Sequence, residues 1–458
     1  MRIVIVGNGV AGMEAALGVR AREPRWSITI VSEESDHFFS RTALMYVLAG
    51  QMSHRDIEPL ERDLYARARF DRVRARATGV DVNARVVELA GDTIPYDRLL
   101  VASGSRPRSA AWKGAHLRGV GHFVTLQDLE WLEHEVHGGP SCGGRPPRPD
   151  AHETPIAHGS PYRRRQVAAE ARRRTARSAL VIGGGLIGIE AVESLLAAGL
   201  TVHLWVRDEW FWPLAIDRRE GAWIAEALRS HGVEVRYGDE VEELLGGDDG
   251  NVRGARSTQG AEIAVDVVVI AIGVVPNTEW LAASAIERDR GGGILVDAGL
   301  RTSAPDVLAA GDCASVPWPG GGHRPEQLWY TARDQGRVAA RRLLGDEATY
   351  ARGIFYNSAK LVDIEYTAVG QLASGRDGAA DWLFEERGRV RSSTRIAVRN
   401  GHVAGFSLLG RRWDHSVLGR WIAERRSLAW VLDHLTEAGW DSELVPPLVV
   451  PPELRVTR

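Results

Sequence analysis

Two short runs of glycine have the spacing that nucleotide chemistry requires. In "IVGNGVAG", Gly7, Gly9 and Gly12 form a G-x-G-x-x-G pattern, with Val10 and Ala11 filling its last gap. In "IGGGLIG", Gly183, Gly185 and Gly188 repeat the same intervals. The first glycine allows a tight turn, the second lets the backbone approach a pyrophosphate, and the third lets a helix pack closely on a strand. The helix N-terminus then offers its unpaired N–H groups and positive dipole end to the phosphates. Glu33 lies 21 residues past Gly12, where a carboxylate can hold a ribose hydroxyl. After the second run, Val206 aligns with that acid and Arg207 follows it. An arginine there either accepts a 2′-phosphate or stands solvated in a loop.

The surrounding elements suit this chemistry. A β-branched run, "RIVIV", precedes Gly7, a helical apolar pattern follows Gly12, and "WSITIVSEE" supplies the next strand. "ALVI" and "TVHLWV" flank the second run in the same way. One chain therefore carries two dinucleotide folds. The alternative, that one copy is a decayed structural duplicate, is at odds with three intact glycines and two flanking strands in each.

Composition narrows the function classes. The net charge is −3, and 44% apolar with 26% charged residues is ordinary for a globular chain, so neither nucleic-acid binding nor membrane attraction is expected. No apolar run reaches membrane-spanning length. Met1 leads straight into a strand, so no signal peptide is expected, and a cytoplasmic enzyme is the default. The two cysteines, Cys142 and Cys313, cannot build a disulfide scaffold, a Cys-cluster metal site or a four-cysteine iron–sulfur site. No metal centre is expected on this chain. Residues 138–178 are rich in proline and glycine and then in arginine, which predicts a linker followed by a basic helix. In the tail, "STRIAVRNGHVAGFSLLG" predicts a hairpin turning at Asn400-Gly401. The stretch beginning "DHSVLGRWIAERRSLAW" is helical by period, with Trp421 and Trp430 at apolar positions.

Motifs that follow one another in order along the chain support a family resemblance. Besides the two glycine runs, "YDRLLVASGSRPR" (96–108), with Ala102, Ser103 and Gly104, resembles the strand and turn that close the first nucleotide domain of two-dinucleotide flavoproteins. "VDVVVIAIGVVPNTEWL" (265–281), with Gly273, resembles its counterpart after the second. "TSAPDVLAAGDCASVP" (302–317) resembles the motif whose Gly-Asp pair, here Gly311 and Asp312, holds the FAD ribityl chain. "WYTARDQGRVAARRLLG" resembles the following helix, whose N-terminus, here Trp329, points at the flavin pyrimidine. The chain thus resembles the FAD-dependent pyridine-nucleotide oxidoreductases, and within them the rubredoxin, ferredoxin and nitrite reductase branch.

That resemblance implies an α/β protein with two Rossmann-like dinucleotide-binding domains and a C-terminal α+β domain. The FAD domain (1–120 and 279–345) is split by an NAD(P) domain (121–278) that carries the 138–178 insertion, and residues 346–458 form the interface domain. The expected cofactors are FAD and either NADH or NADPH. Gly188 leans towards NADH in this superfamily, and Arg207 leans towards NADPH. Glu190 matches a glutamate set near the flavin and nicotinamide rings. Its alternative is a first-turn helix glutamate favoured by the dipole.

The stretch "DHFFSRTALMYVLAG" (36–50) then runs along the flavin. Thr42 falls where disulfide-active relatives carry a cysteine, so electrons are not expected to pass through a thiol. Arg41 matches an arginine of the rubredoxin and nitrite reductase branch and is expected to fix the segment against FAD phosphates or neighbouring backbone. Arg41 and Thr42 are also expected to cap the following helix. Tyr46 stands where many ferredoxin reductases have a lysine. The resemblance implies a flavoenzyme that oxidises NAD(P)H and reduces a small ferredoxin- or rubredoxin-like protein. The alternatives are a quinone or small-molecule reductase and a redox-switched flavin-binding interaction protein. Relatives use the C-terminal domain for homodimer contacts or to cover the flavin site.

Overall fold

A computed structural model describes residues 1–138, 176–372, 381–386 and 391–440. Nearly all of the 138–178 insertion, including Cys142 and the expected basic helix, lies outside the described residues. The chain divides into two compact units. One comprises Met1–Ser109, Val124–Leu132 and Gly273–Arg352, and the other Ala110–Phe123, Glu133–Ile272 and Gly353–Arg458.

The first unit is built on an all-parallel sheet of five strands, in the order Val307–Ala309, Arg98–Val101, Arg2–Val6, Ser27–Ser32, Phe70–Arg74. Its central strand reads as a continuous apolar run because both faces are covered, and Ile3 and Ile5 are fully buried. The helix Val10–Arg22 leaves that strand through the first glycine run and lies against the helix Trp329–Leu343. Small residues permit this approach: a Cβ on Gly336 would stand 2.6 Å from the Ala11 carbonyl oxygen, and one on Gly18 2.7 Å from the Ala340 Cβ. A separate two-stranded sheet pairs Ser105–Pro107 antiparallel with Val274–Pro276.

The second unit holds another all-parallel sheet of five strands, ordered Glu234–Tyr237, Thr201–Val206, Ser178–Ile182, Val267–Ile270, Val120–Gly121. A separate antiparallel sheet runs Tyr356–Leu361, Ile364–Gly370, His402–Leu409, Ser392–Arg399, Asp381–Glu386. The expected hairpin is present. Asn400 and Gly401 have φ of +50° and +77°, the left-handed pair that a type I′ turn needs to match strand twist. Two helices follow, His415–Ala423 and Leu428–His434, with Trp421 buried and the partly buried Trp430 edge-on to it at 5.6 Å. Polar ties link this sheet to the nucleotide-type fold within the unit. The buried Glu220 meets the buried Arg395 at 3.4 Å and accepts a hydrogen bond from the Ser393 hydroxyl, while Glu193 accepts one from the Val362 N–H. Burial pushes the Glu220 carboxyl up, and the Arg395 charge offsets part of that push, as a buried carboxylate requires. Among the described residues, no helix is long and apolar enough to cross a membrane.

Candidate functional site

The two glycine runs fold into the same local geometry. Gly7 has φ +122° and Gly183 φ +129°, a backbone region open to glycine. A Cβ on Gly7 would fall 2.0 Å from the Ala102 carbonyl oxygen, and one on Gly183 would fall 2.2 Å from that of Ala271. A Cβ on Gly12 would meet the Gly7 carbonyl oxygen at 2.1 Å, and one on Gly188 that of Gly183 at 2.3 Å. Gly9 and Gly185 are the N-caps of the helices Val10–Arg22 and Leu186–Ala197, and nothing lies within 4 Å of a Cβ on either. Neither helix has a side-chain cap. Each therefore begins with backbone N–H groups facing open space, the arrangement that a pyrophosphate fits.

The remaining residues expected around the first cradle gather in the same unit. Glu33 follows the strand Ser27–Ser32 with an exposed carboxylate, paired only loosely with Arg76 at 3.9 Å. Its carbonyl oxygen accepts a hydrogen bond from the Arg74 guanidinium at 2.9 Å, which holds the loop in place. Ala102 continues the sheet by donating its N–H to the Val6 carbonyl at 2.8 Å. Ser103 donates to the Asn277 carbonyl, and Asn277 donates back to that of Gly104, so the closing turn is tied on both sides. Gly273, at φ +103° with open space at its Cβ position, accepts from the Arg108 N–H. Gly311, at φ +79°, donates its N–H to the buried Gln335 Oε1 at 2.7 Å. Asp312 accepts a hydrogen bond from the Ser105 hydroxyl at 2.7 Å. Burial pushes the Asp312 carboxyl up, while Ser105 and the Arg41 charge pull it back. Trp329 opens the helix Trp329–Leu343, is 37% exposed, and has the Arg333 guanidinium 5.4 Å from its ring centre.

The 36–50 stretch differs from expectation in one respect. Arg41–Ala43 is a 3-10 turn and Leu44–Leu48 a short helix, and neither has a side-chain cap. The Thr42 hydroxyl meets Ser40 at 3.1 Å, and the long Arg41 side chain reaches away from the helix. Arg41 binds Glu34 through both Nη atoms, at 2.9 and 2.6 Å, and donates to the Val124 carbonyl at 2.6 Å. It thus fixes the segment to neighbouring backbone. Burial pulls the Arg41 guanidinium down, and the Glu34 charge and hydrogen bonds more than restore it. Glu34 also accepts the Leu126 N–H at 2.9 Å, so one carboxylate joins this segment to the start of the helix Leu126–His137. Sequence reasoning singled out Glu33 and missed Glu34, which binds Arg41 seven residues on and Leu126 far along the chain, as well as Ser105 and Gln335, whose partners Asp312 and Gly311 lie 207 and 24 residues away.

In the second unit, Glu190 is the fifth residue of the helix Leu186–Ala197, beyond the first turn where the dipole would favour it. Burial, and then the Glu193 charge, push its carboxyl up to about 7. Arg207 follows the strand Thr201–Val206, exposed, with a loose ion pair to Glu240 at 3.6 Å. Val206 is buried and adds no polar group. The Cys313 thiol is fully buried against the Val101 and Ala310 carbonyls, and burial pushes it up to about 11, so it is an inert apolar filler. No cluster of three metal-ligating side chains exists among the described residues.

Known proteins resemble this chain over most of its length. The family described as pyridine nucleotide-disulphide oxidoreductases matches residues 1–336. The ferredoxin–NAD(+) reductase component of the p-cumate 2,3-dioxygenase system of Pseudomonas putida is 28% identical over 93% of this chain and 94% of its own. Rhodocoxin reductase of Rhodococcus erythropolis is 31% identical over 76% of this chain and 74% of its own. The fold is also that of a ferredoxin reductase from Rhodopseudomonas palustris, with a TM-score of 0.76 and 22% identity, covering 94% of this chain and 98% of that one. With the match running from the first cradle to beyond Gln335, the chain belongs to the pyridine nucleotide-disulphide oxidoreductase family.

Proposed function

We propose that this chain is an FAD-dependent oxidoreductase that takes electrons from NAD(P)H and passes them to an acceptor other than a disulfide, a small ferredoxin- or rubredoxin-like protein. The observation that carries this reading is the presence of two glycine cradles with matching Cβ exclusions in one chain. Two dinucleotides need two such cradles, and family membership makes FAD and a nicotinamide nucleotide the natural pair. Relatives named as ferredoxin–NAD(+) reductase components support the acceptor class. FAD, when bound, supplies two-electron acceptance and one-electron release.

The chain's own residues do the rest. The open N-terminal N–H groups at Gly9, Val10 and Ala11 hold the FAD pyrophosphate, Glu33 takes the adenosine ribose, and Gly311 and Asp312 hold the ribityl chain. Ala102, Ser103, Gly104 and Gly273 shape the closing turns, and Trp329 sets the helix N-terminus towards the flavin. Arg41 orients the segment carrying Thr42, where no thiol intervenes. Gly183, Gly185 and Gly188 hold the nicotinamide nucleotide, Arg207 meets its adenosine ribose, and Glu190 bears on the reacting end with a carboxyl that changes charge near neutrality. The FAD domain spans 1–120 and 279–345, the NAD(P) domain 121–278, and the C-terminal domain 346–458, whose sheet and helices serve a homodimer contact. The low cysteine content supports a cytoplasmic location.

Stopped-flow reduction of the purified holoprotein by NADH and by NADPH tests the donor side. A panel of ferredoxin, rubredoxin, quinone and disulfide tests the acceptor. Turnover with disulfide alone refutes the acceptor assignment, and fast quinone turnover without protein-carrier turnover replaces it with a quinone reductase.

A further inference from the structure

We infer that Tyr65 is a positioning residue of the first cradle: its hydroxyl locks the side chain of Asn8, set between Gly7 and Gly9, to the backbone of Phe38 in the segment leading to Arg41. The inference rests on the reading that this cradle holds FAD.

Tyr65 lies in the single helical turn Leu64–Arg67 and is 2% exposed. Its hydroxyl accepts a hydrogen bond from the Phe38 N–H at 2.7 Å and lies 2.9 Å from the Asn8 Oδ1. A backbone N–H only donates, so the one hydroxyl proton is left for the Asn8 carbonyl oxygen, and both groups are satisfied in a defined direction. The ring is held as firmly as its hydroxyl. His37 and Phe70 stand edge-on to it at 5.7 and 6.3 Å, and the Arg72 guanidinium lies 5.0 Å from its centre. Phe70 and Arg72 belong to the edge strand Phe70–Arg74 of the parallel sheet. Burial pushes the phenol up, so it remains a neutral donor across the working pH range.

Two parts of the proposed FAD site, the glycine turn and the segment from Glu33 to Arg41, therefore meet at this one oxygen, and the edge strand packs on its ring. The cradle needs this support. Gly9 has no side chain, and neither it nor the helix it caps gains a side-chain cap. A glycine loop loses much conformational freedom when it orders around a ligand, so fixing it beforehand raises affinity. Asn8 is the side chain between the first two glycines through which the turn can be held, and Tyr65 holds it from 57 residues away.

The test uses the holoprotein and follows FAD release by flavin fluorescence after dilution. Tyr65→Phe removes one hydroxyl and leaves two partners unpaired, for an expected release about tenfold faster. Asn8→Ala should speed release as well, and the double variant should be no faster than Tyr65→Phe alone, because both remove one device. Tyr96→Phe is the control for general loss of packing. Tyr96 is fully buried, and its hydroxyl has no hydrogen-bond partner among the described residues, so release should match the parent. Unchanged release in Tyr65→Phe, equal acceleration in Tyr96→Phe, or multiplying effects of the Tyr65 and Asn8 changes each overturns the inference. A parent protein purified without FAD overturns the function reading itself, before any variant is made.

Discussion

Glu190→Gln should remove a pH-dependent cost from the folded protein. The Glu190 carboxyl is raised from an ordinary 4.5 to about 7 by burial and by Glu193. A raised carboxyl favours the protonated form in the folded state. Its contribution is fully present below pH 4.5 and is lost as pH climbs towards 7. A tenfold difference in proton affinity between folded and unfolded chains is worth about 1.4 kcal/mol, so about 3 kcal/mol of stability disappears over that window. Glutamine mimics the protonated acid and does not titrate. The variant and parent should therefore unfold at similar urea concentrations near pH 4.5. Above pH 7.5 the variant should be the more stable, by about 3 kcal/mol in whichever transition reports the second unit. The same change should flatten any inflection near pH 7 in the rate of flavin reduction by NADH. Urea profiles of the two proteins at half-unit pH steps, with the rates measured alongside, decide the matter. A stability difference that stays constant from pH 4.5 to 8 refutes the reasoning, since it would mean that Glu190 takes up and releases its proton in the fold as it does in the unfolded chain.

The cradles should fail separately. Gly12→Ala forces a methyl against the Gly7 carbonyl and should yield flavin-depleted protein, while Gly188→Ala clashes at Gly183 and should keep its yellow colour but lose reduction by NADH. Absorbance at the flavin band and stopped-flow reduction distinguish the two, and loss of flavin in both variants would contradict separate roles. Asp312→Ala should weaken FAD retention by tenfold or more, since a half-buried carboxylate bound to Ser105 is lost, at about 1.5–3 kcal/mol for a charged hydrogen bond. Equilibrium dialysis showing unchanged FAD affinity would rule out its ribityl role. Arg207→Ala should raise the NADPH dissociation constant about two- to fivefold and leave that of NADH nearly unchanged, a small effect because the guanidinium is exposed and shared with Glu240. Equal weakening of both nucleotides would make Arg207 an ordinary surface arginine.

Sequence alone determined the parts whose physics is local. A glycine that must adopt positive φ, and one whose Cβ would strike a carbonyl about two ångströms away, leave a readable trace at Gly7, Gly12, Gly183 and Gly188. The apolar runs on either side followed from the same rule, because strands covered on both faces admit few polar residues, and the Asn400-Gly401 turn needed only its two left-handed residues. Tertiary structure decided every long-range partner. Arg41 was legible as an arginine in an apolar stretch, but Glu34 and the Val124 carbonyl, not the end of its own helix, receive it. No periodicity connects Gln335 with Gly311 or Tyr65 with Asn8, since these bonds depend on which elements the sheet order brings together. The upward push on Glu190 was equally hidden, because it comes from desolvation, and a carboxylate carries no mark of its burial until the chain has closed around it.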